Sequence, residues 1–270
     1  MWGDVLGCKR RKRRVRRMRK DSQELAALGR VLVYIRRTGW QAPEVLHEDA
    51  STVVDLFSLG CMIYFCLMHG DHPFGNDEHE RIANIAKGEK EFFMLEKDTD
   101  AEAYDLIDRF LDHEPKKRPK ADEIYNHPLF WDPHTCLYFF RDVSERLMVK
   151  SSKYSDIWRS IGDLKRYKGW NVNGKLHPEI KRYINKSHCY HCYGAINLIR
   201  DIRNIYDHYA DLPEDLKELL GEIPIGFDKY FSTKFLALLI DVYNVFKVYC
   251  PKGKLSRYFN AEQLTNVGVL

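Results

Sequence analysis

No stretch of the 270-residue sequence stays apolar for the roughly 18 residues that a bilayer-spanning helix requires, so no direct membrane insertion is expected. The basic N-terminus is not followed by an apolar segment of signal-peptide length. The seven cysteines are an odd number and show no spacing typical of a disulfide framework. Together these absences predict reduced thiols and a cytoplasmic or nuclear location.

Excess positive charge is confined to the N-terminus. Residues 9–20 contain ten basic residues and no acidic one, so the formal net charge of +4 becomes −6 for the rest of the chain. Such a block repels itself and has little apolar surface, so residues 1–37 are predicted to form a disordered arm. The arm is consistent with a nuclear localisation signal or with a segment that contacts the RNA backbone, and the alternative is a solvated tail. The acidic remainder excludes a body that coats nucleic acid nonspecifically.

Strand-like alternation is lacking, and helical patterns dominate. The segment Val53–Met68 is almost entirely apolar, which is typical of a helix buried on all sides, and Gly70–Gly75 ends it with turn residues. We therefore predict a mainly α fold, with a polar hinge at residues 150–154. The predicted helices are 53–68, 78–87, 101–112, 120–126, 134–148, 155–164, 178–186, 193–208, 214–220 and 233–248.

The predicted helix 193–208 carries the side chains best suited to chemistry. At 100° per residue its apolar side holds Ala195, Leu198, Ile199, Ile202, Ile205 and Tyr206, and its polar side holds Asn197, Arg200, Asp201, Asn204, Asp207 and His208. Asn204 and His208 are neighbours on that polar side, with Arg203 at its margin. A histidine beside a guanidinium fits attack of an RNA 2′-hydroxyl on its own 3′-phosphate. From the residues alone, a solvated helix face is the commoner explanation of such a pattern.

Metal ligands of the required number are lacking as well. The segment His188–Cys192 (HCYHC) has spacing that chelates zinc, but a structural zinc site usually needs a second pair of ligands, and the chain offers none. We therefore expect no metal and no cofactor. Among the tryptophans, Trp131 and Trp158 fit core positions, and Trp170 is the one considered as an RNA contact.

Four ordered motifs in the first half resemble the C-terminal half of a protein kinase catalytic lobe. They are Gly39–Glu44 (GWQAPE), Asp55–Gly60 (DLFSLG), His72–Gly75 (HPFG) and Lys117–Pro119 (KRP). The resemblance implies that Glu44 pairs with Arg118 and that Asp55 braces the catalytic loop from below.

The residues that perform phosphoryl transfer in that family are missing from this sequence. It contains no G-x-G-x-x-G loop before the first motif, no V-A-I-K lysine, no H-R-D base and no D-F-G metal ligand. We therefore expect this part to act as a scaffold, without kinase activity.

The second half resembles the kinase-extension nuclease (KEN) domain. That domain follows a kinase lobe in the inositol-requiring kinase–endoribonucleases of the unfolded-protein response and in the oligoadenylate-activated ribonuclease. The motifs of this sequence most resemble those of the plant-like branch of the kinase–endoribonucleases. The motifs are Arg203-Asn204-x-x-x-His208-Tyr209, Asp211–Glu214 (DLPE), Leu219–Gly221 (LLG) and Phe227–Phe235 (FDKYFSTKF), with His127–Trp131 and Phe140–Ser144 at the junction. The resemblance implies a truncated kinase C-lobe followed by an all-helical nuclease domain.

The resemblance also implies the catalytic residues His208, Arg203, Asn204 and a tyrosine. The tyrosine lies thirteen residues before the arginine in that family, which is Tyr190 here, or Tyr193 if the preceding loop holds an insertion. The implied reaction is metal-independent RNA cleavage that leaves a 2′,3′-cyclic phosphate and a 5′-hydroxyl.

Two residues depart from the family pattern. Ile205 stands where the family usually has a lysine, and Asp207 stands where it often has a histidine or asparagine. One positive charge is lost and one negative charge is gained, which lowers phosphate stabilisation by about 1–2 kcal/mol.

The implied organisation is an arm at 1–37, a kinase-like lobe at 38–148, a nuclease domain at 149–250 and a tail at 251–270. The expected substrate is a stem-loop RNA, in the course of mRNA processing, and the expected assembly is a homodimer or a heterodimer with a full-length relative. A partner would bring the chain to the cytosolic face of the endoplasmic reticulum. The alternative is a catalytically inactive interaction fragment that pairs with and tunes a full-length relative.

Overall fold

In a computed structural model, the described residues form helices that fall into two units, divided between Phe130 and Trp131. The predicted arm and the predicted hinge at 150–154 lie outside the described residues. No strand occurs in the described part of the chain, which confirms the mainly α prediction. No helix there combines the length and apolarity that crossing a membrane requires. The structure describes residues 39–46, 53–92, 95–149, 155–169, 174–187, 194–250 and 253–259.

The first unit is organised around an apolar helix. Its helices are α1 (Val53–Leu67), α2 (Glu78–Lys87), α3 (Ala101–Phe110) and the short α4 (Ala121–Tyr125). Helices α1 and α3 pack against each other, and Gly60 permits their close approach because a Cβ there would lie 2.6 Å from the Cβ of Phe110. Buried residues of both helices share one core with Phe74 and Ile85.

A buried ion pair holds the start of the first unit together. The predicted partners Glu44 and Arg118 are in contact, with Nη2 of Arg118 2.9 Å from Oε2 of Glu44. The Arg118 side chain is fully buried and also donates to the carbonyl oxygens of Val53 (3.1 Å) and Asp112 (2.9 Å). One guanidinium therefore joins three chain segments. Asp55 lies exposed in the first turn of α1.

The second unit is organised around its first helix. Its helices are α5 (Pro133–Met148), α6 (Ser155–Gly162), α7 (Pro178–Ser187), α8 (Ala195–Asp207), α9 (Glu214–Leu220), α10 (Ile225–Lys234) and α11 (Leu238–Tyr249). Helix α5 packs against α8, against α10 and against the 3₁₀ turn Lys254–Tyr258, while α6 packs against α8 and α11. Trp131 is buried against the rings of Phe139 and Tyr243, a core position as predicted.

The division between the units differs from the predicted boundary after residue 148. Helix α5 belongs to the second unit, because one of its faces is buried against α8 and α10. The second unit also continues past residue 250, where a tail was predicted. Leu255, Tyr258 and Phe259 are buried, and the 3₁₀ turn that carries two of them packs on α5.

The structure contains one helix that was not predicted, α10, because the predicted helix 233–248 overlaps it only at residues 233 and 234. The prediction was a single helix at 233–248, whereas α10 ends at Lys234 and α11 begins at Leu238. The break falls at Phe235, whose backbone is not helical (φ −125°, ψ 63°) and whose side chain is buried. The chain turns there to bury an aromatic ring, and the sequence pattern did not show this.

Candidate active site

Helix α8 presents its polar side chains from a well-packed base. Its apolar residues Ala195, Leu198, Ile199, Ile202 and Ile205 are all buried, since α8 packs on both α5 and α6. The site therefore stands on a helix that is packed on two neighbours within the second unit.

Asp201 is a correction to the predicted polar side of this helix, because its carboxyl is buried. It lies one helical turn before Ile205, at the edge of the apolar stripe, and two packed neighbours make that stripe wider than one neighbour would. Burial raises the pKa of Asp201 to about 7, since desolvation disfavours the charged form, while nearby Arg200 opposes the shift.

Arg203 lies near the end of α8 with only a quarter of its side chain exposed. Its Nε is 3.4 Å from the hydroxyl oxygen of Ser144, a buried residue of α5. Its Nη1 is 3.5 Å from Oδ2 of Asp207, one turn further along the same helix. The guanidinium group of Arg203 therefore lies between the hydroxyl of Ser144 and the carboxylate of Asp207, where α5 packs on α8.

Asp207 contacts a second arginine as well. Its other carboxylate oxygen, Oδ1, is 3.6 Å from Nε of Arg141 on α5. Asp207, which departs from the family pattern, thus contacts Arg203, the arginine expected to bind phosphate. Ile205, the other departure from the family pattern, is buried and belongs to the core.

His208 follows α8 as its C-terminal cap. Its backbone N–H donates to the carbonyl of Asn204 at 3.1 Å, so the two residues lie one turn apart as predicted. Its side chain is 67% exposed, and Nδ1 is 3.8 Å from Oδ2 of Asp211. Sequence reasoning noted Asp211 only as part of a motif. Its spacing of three residues from His208 was the available signal for this contact.

The segment after His208 is fixed by its neighbours. The hydroxyl of Tyr209 donates to the carbonyl of Gly221 at 2.9 Å, and its ring packs on Phe227. Gly221 and Gly226 approach so closely that a Cβ on Gly226 would lie 2.6 Å from the backbone of Gly221. The motifs at 219–221 and 227–235 therefore position the end of α8.

Several predicted site residues lie outside the described residues. They are Tyr190, Tyr193, the HCYHC segment at 188–192 and Trp170. Among the described residues, no group of three or more His, Cys, Asp or Glu side chains could hold a metal ion.

Both units match known families. Residues 136–260 match the family described as Ribonuclease 2-5A, and residues 20–130 match the family described as Protein kinase domain. The kinase match begins inside the segment predicted to be an arm.

Plant relatives match most of the chain. It is 40% identical over 224 residues to the serine/threonine-protein kinase/endoribonuclease IRE1 of Oryza sativa subsp. japonica, covering 82% of this chain and 25% of the relative. It is 38% identical over 218 residues to IRE1b of Arabidopsis thaliana, covering 79% and 24%. An Arabidopsis protein named inactive serine/threonine-protein kinase/endoribonuclease IRE1-like is 32% identical over 246 residues, covering 83% and 43%.

The chain thus spans about a quarter of the length of the first two relatives. The kinase match precedes the ribonuclease match in the chain, and the alignments to these relatives are long enough to include parts of both. The chain belongs to the IRE1 kinase/endoribonuclease family.

Proposed function

We propose that this chain is an endoribonuclease that cleaves stem-loop RNA without a metal ion and leaves a 2′,3′-cyclic phosphate and a 5′-hydroxyl. One observation carries the proposal. The exposed imidazole of His208 lies at the end of α8, one helical turn after Asn204 and next to the turn that holds Arg203. A histidine, an asparagine and an arginine therefore lie close together in sequence at one helix end.

In the proposed reaction the RNA supplies its own nucleophile. The 2′-oxygen bonds to phosphorus, and the bond between phosphorus and the 5′-oxygen breaks. His208 and the tyrosine at 190 or 193 share the two proton transfers, one from the 2′-hydroxyl and one to the leaving oxygen. Arg203 stabilises the charge that develops on the phosphoryl oxygens, and Asn204 positions them.

Asp211 would assist the histidine in this reaction. Its carboxylate lies on the Nδ1 side of His208, which leaves Nε2 for proton transfer. Both side chains are largely exposed, so bound RNA would be needed to exclude water from the pair.

The kinase-like unit would act as a scaffold in this proposal. Its buried Glu44–Arg118 pair supports a structural role, since it ties three segments together. A second copy or a full-length relative would complete the RNA groove, and the chain would work in the cytosol or nucleus, or at the endoplasmic reticulum through that partner.

A second candidate is a catalytically inactive fragment that pairs with and tunes a full-length relative. The contact of Asp207 with both Arg203 and Arg141 favours this inactive fragment, because the carboxylate already pairs with the guanidinium group that would bind phosphate.

Analysis of the RNA ends separates the two candidates. A stem-loop RNA is incubated in EDTA with wild-type chain, His208→Ala and the control His177→Ala, an exposed histidine elsewhere in the second unit. The nuclease proposal predicts products with cyclic phosphate and free 5′-hydroxyl ends for the wild type and the control only. Products with 5′-phosphates, or cleavage that survives in His208→Ala, would refute the proposed mechanism.

A further inference from the structure

Three charged side chains from α5 and α8 meet at the surface of the second unit. The carboxylate of Asp207 lies between two guanidinium groups, 3.5 Å from Nη1 of Arg203 and 3.6 Å from Nε of Arg141. Arg141 also has Glu145 at 3.9 Å, one turn away on its own helix. The Arg141 side chain is 46% exposed, so a ligand in solution can reach it.

Two guanidinium groups around one carboxylate mark a site for an oxyanion. Their donor geometry matches phosphate as well as carboxylate. The distances here exceed the 2.7–2.9 Å typical of a tight charge-assisted hydrogen bond, so the carboxylate is held as a loose ion pair. Partly exposed pairs of this kind contribute only about 0–1 kcal/mol, which a phosphate can replace.

We propose that Arg141 and Arg203 together form a phosphate subsite for RNA and that Asp207 competes with RNA phosphate for it. This inference rests on the proposed nuclease function and deepens it, with Arg141 as a binding residue rather than a catalytic one. Asp207 then sets how weakly the chain holds its substrate.

Aromatic side chains beside the two arginines favour RNA as the ligand. Tyr138 is 44% exposed, lies one turn before Arg141 on α5, and stacks with His134. Its hydroxyl also hydrogen-bonds Tyr206 of α8. Aromatic faces interleaved with basic groups bind single-stranded bases together with their phosphates.

The proposal predicts a gain in RNA binding when the charge of Asp207 is removed. Asp207→Asn should tighten binding roughly 3- to 10-fold in low salt, because it frees the two guanidinium groups for phosphate. Each new phosphate contact should also steepen the slope of log K against log salt by about 0.7–0.9. In the Asp207→Asn background, Arg141→Gln should abolish most of this gain. In the wild type, where Asp207 already engages Arg141, the same change should have a smaller effect.

The test is fluorescence anisotropy of the full chain with a labelled stem-loop RNA in which every ribose is 2′-O-methylated. This RNA cannot be cleaved, since it has no 2′-hydroxyl. The matched control is Asp156→Asn, which removes an exposed carboxylate 3.8 Å from Arg159 on α6 and changes the net charge equally. Asp207→Ser provides a second variant if the asparagine disturbs folding.

Tighter binding and a steeper salt slope for Asp207→Asn alone, lost again on Arg141→Gln, would support the subsite. An equal gain in Asp156→Asn would overturn it, as would no gain or no coupling to Arg141. Failure of the nuclease proposal is read separately. A chain that shows the coupling but cleaves no ordinary RNA keeps the subsite and loses the nuclease, and a chain that cleaves RNA without the coupling loses only the subsite.

Discussion

Asp142 anchors the C-terminal turn of the second unit, and its removal should open that turn selectively. The Asp142 side chain is 5% exposed and accepts from the hydroxyl of Tyr258 (2.8 Å), from Arg257, and from Nζ of Lys254 (2.8 Å). A buried hydrogen bond to a charged group contributes about 1.5–3 kcal/mol. The two cations are partly exposed, and each adds only about 0–1 kcal/mol. Asp142→Asn should therefore cost about 2–4 kcal/mol.

Hydrogen exchange of the full chain measures this loss locally. The amides of Ser256 and Phe259 bond to carbonyls within the turn, so they report its opening. Their exchange should accelerate between about 30-fold and several hundred-fold. Glu145→Gln is the matched control, because Glu145 binds the same Lys254 at 2.7 Å but is 49% exposed, and its loss should cost under about 1 kcal/mol. Equal acceleration in the two variants would refute the claim that burial makes Asp142 the anchor.

Three further predictions concern stability. Glu44→Gln should destabilise the first unit by about 3–5 kcal/mol in urea unfolding, because it leaves a buried arginine without its charge partner, while Glu114→Gln, from an exposed pair, should cost under about 1 kcal/mol. The folded state keeps Asp201 protonated up to about pH 7, whereas the unfolded state loses this proton at about pH 4. The free energy of unfolding of the wild type should therefore fall as pH rises from about 4 to 7. Thermal melting of Asp201→Asn should escape that fall and gain up to about 4 kcal/mol relative to wild type by pH 8; a gain independent of pH would contradict this. Gly60→Ala should lower the melting temperature by pushing α1 away from Phe110, and an unchanged melting temperature would show that the helices adjust freely.

Local signals predicted much of the helical framework. The bounds of α2 agree with the predicted 78–87, and in the structure Asp77 caps its first turn and Gly88 ends it in the left-handed conformation. The burial of one face of α8 followed from its periodicity. Both features depend on residues within a few positions of each other.

Features set by distant contacts were not predictable in the same way. The break at Phe235 and the burial of Asp201 depend on which helices pack on α10, α11 and α8. The sequence identified Asp207 as an unfavourable charge, but not the second arginine it contacts. Arg141 lies on α5, far earlier in the chain, and only the packing of α5 on α8 brings the two side chains together.

The most direct test of the central claim is cleavage of a labelled stem-loop RNA in EDTA, measured for wild type and His208→Ala over rising protein concentration. We expect metal-free cleavage whose rate rises more steeply than the protein concentration, since two nuclease units are expected to form the groove, and we expect none in the variant. No cleavage at concentrations where sedimentation shows a dimer would contradict the nuclease and leave the interaction fragment as the function.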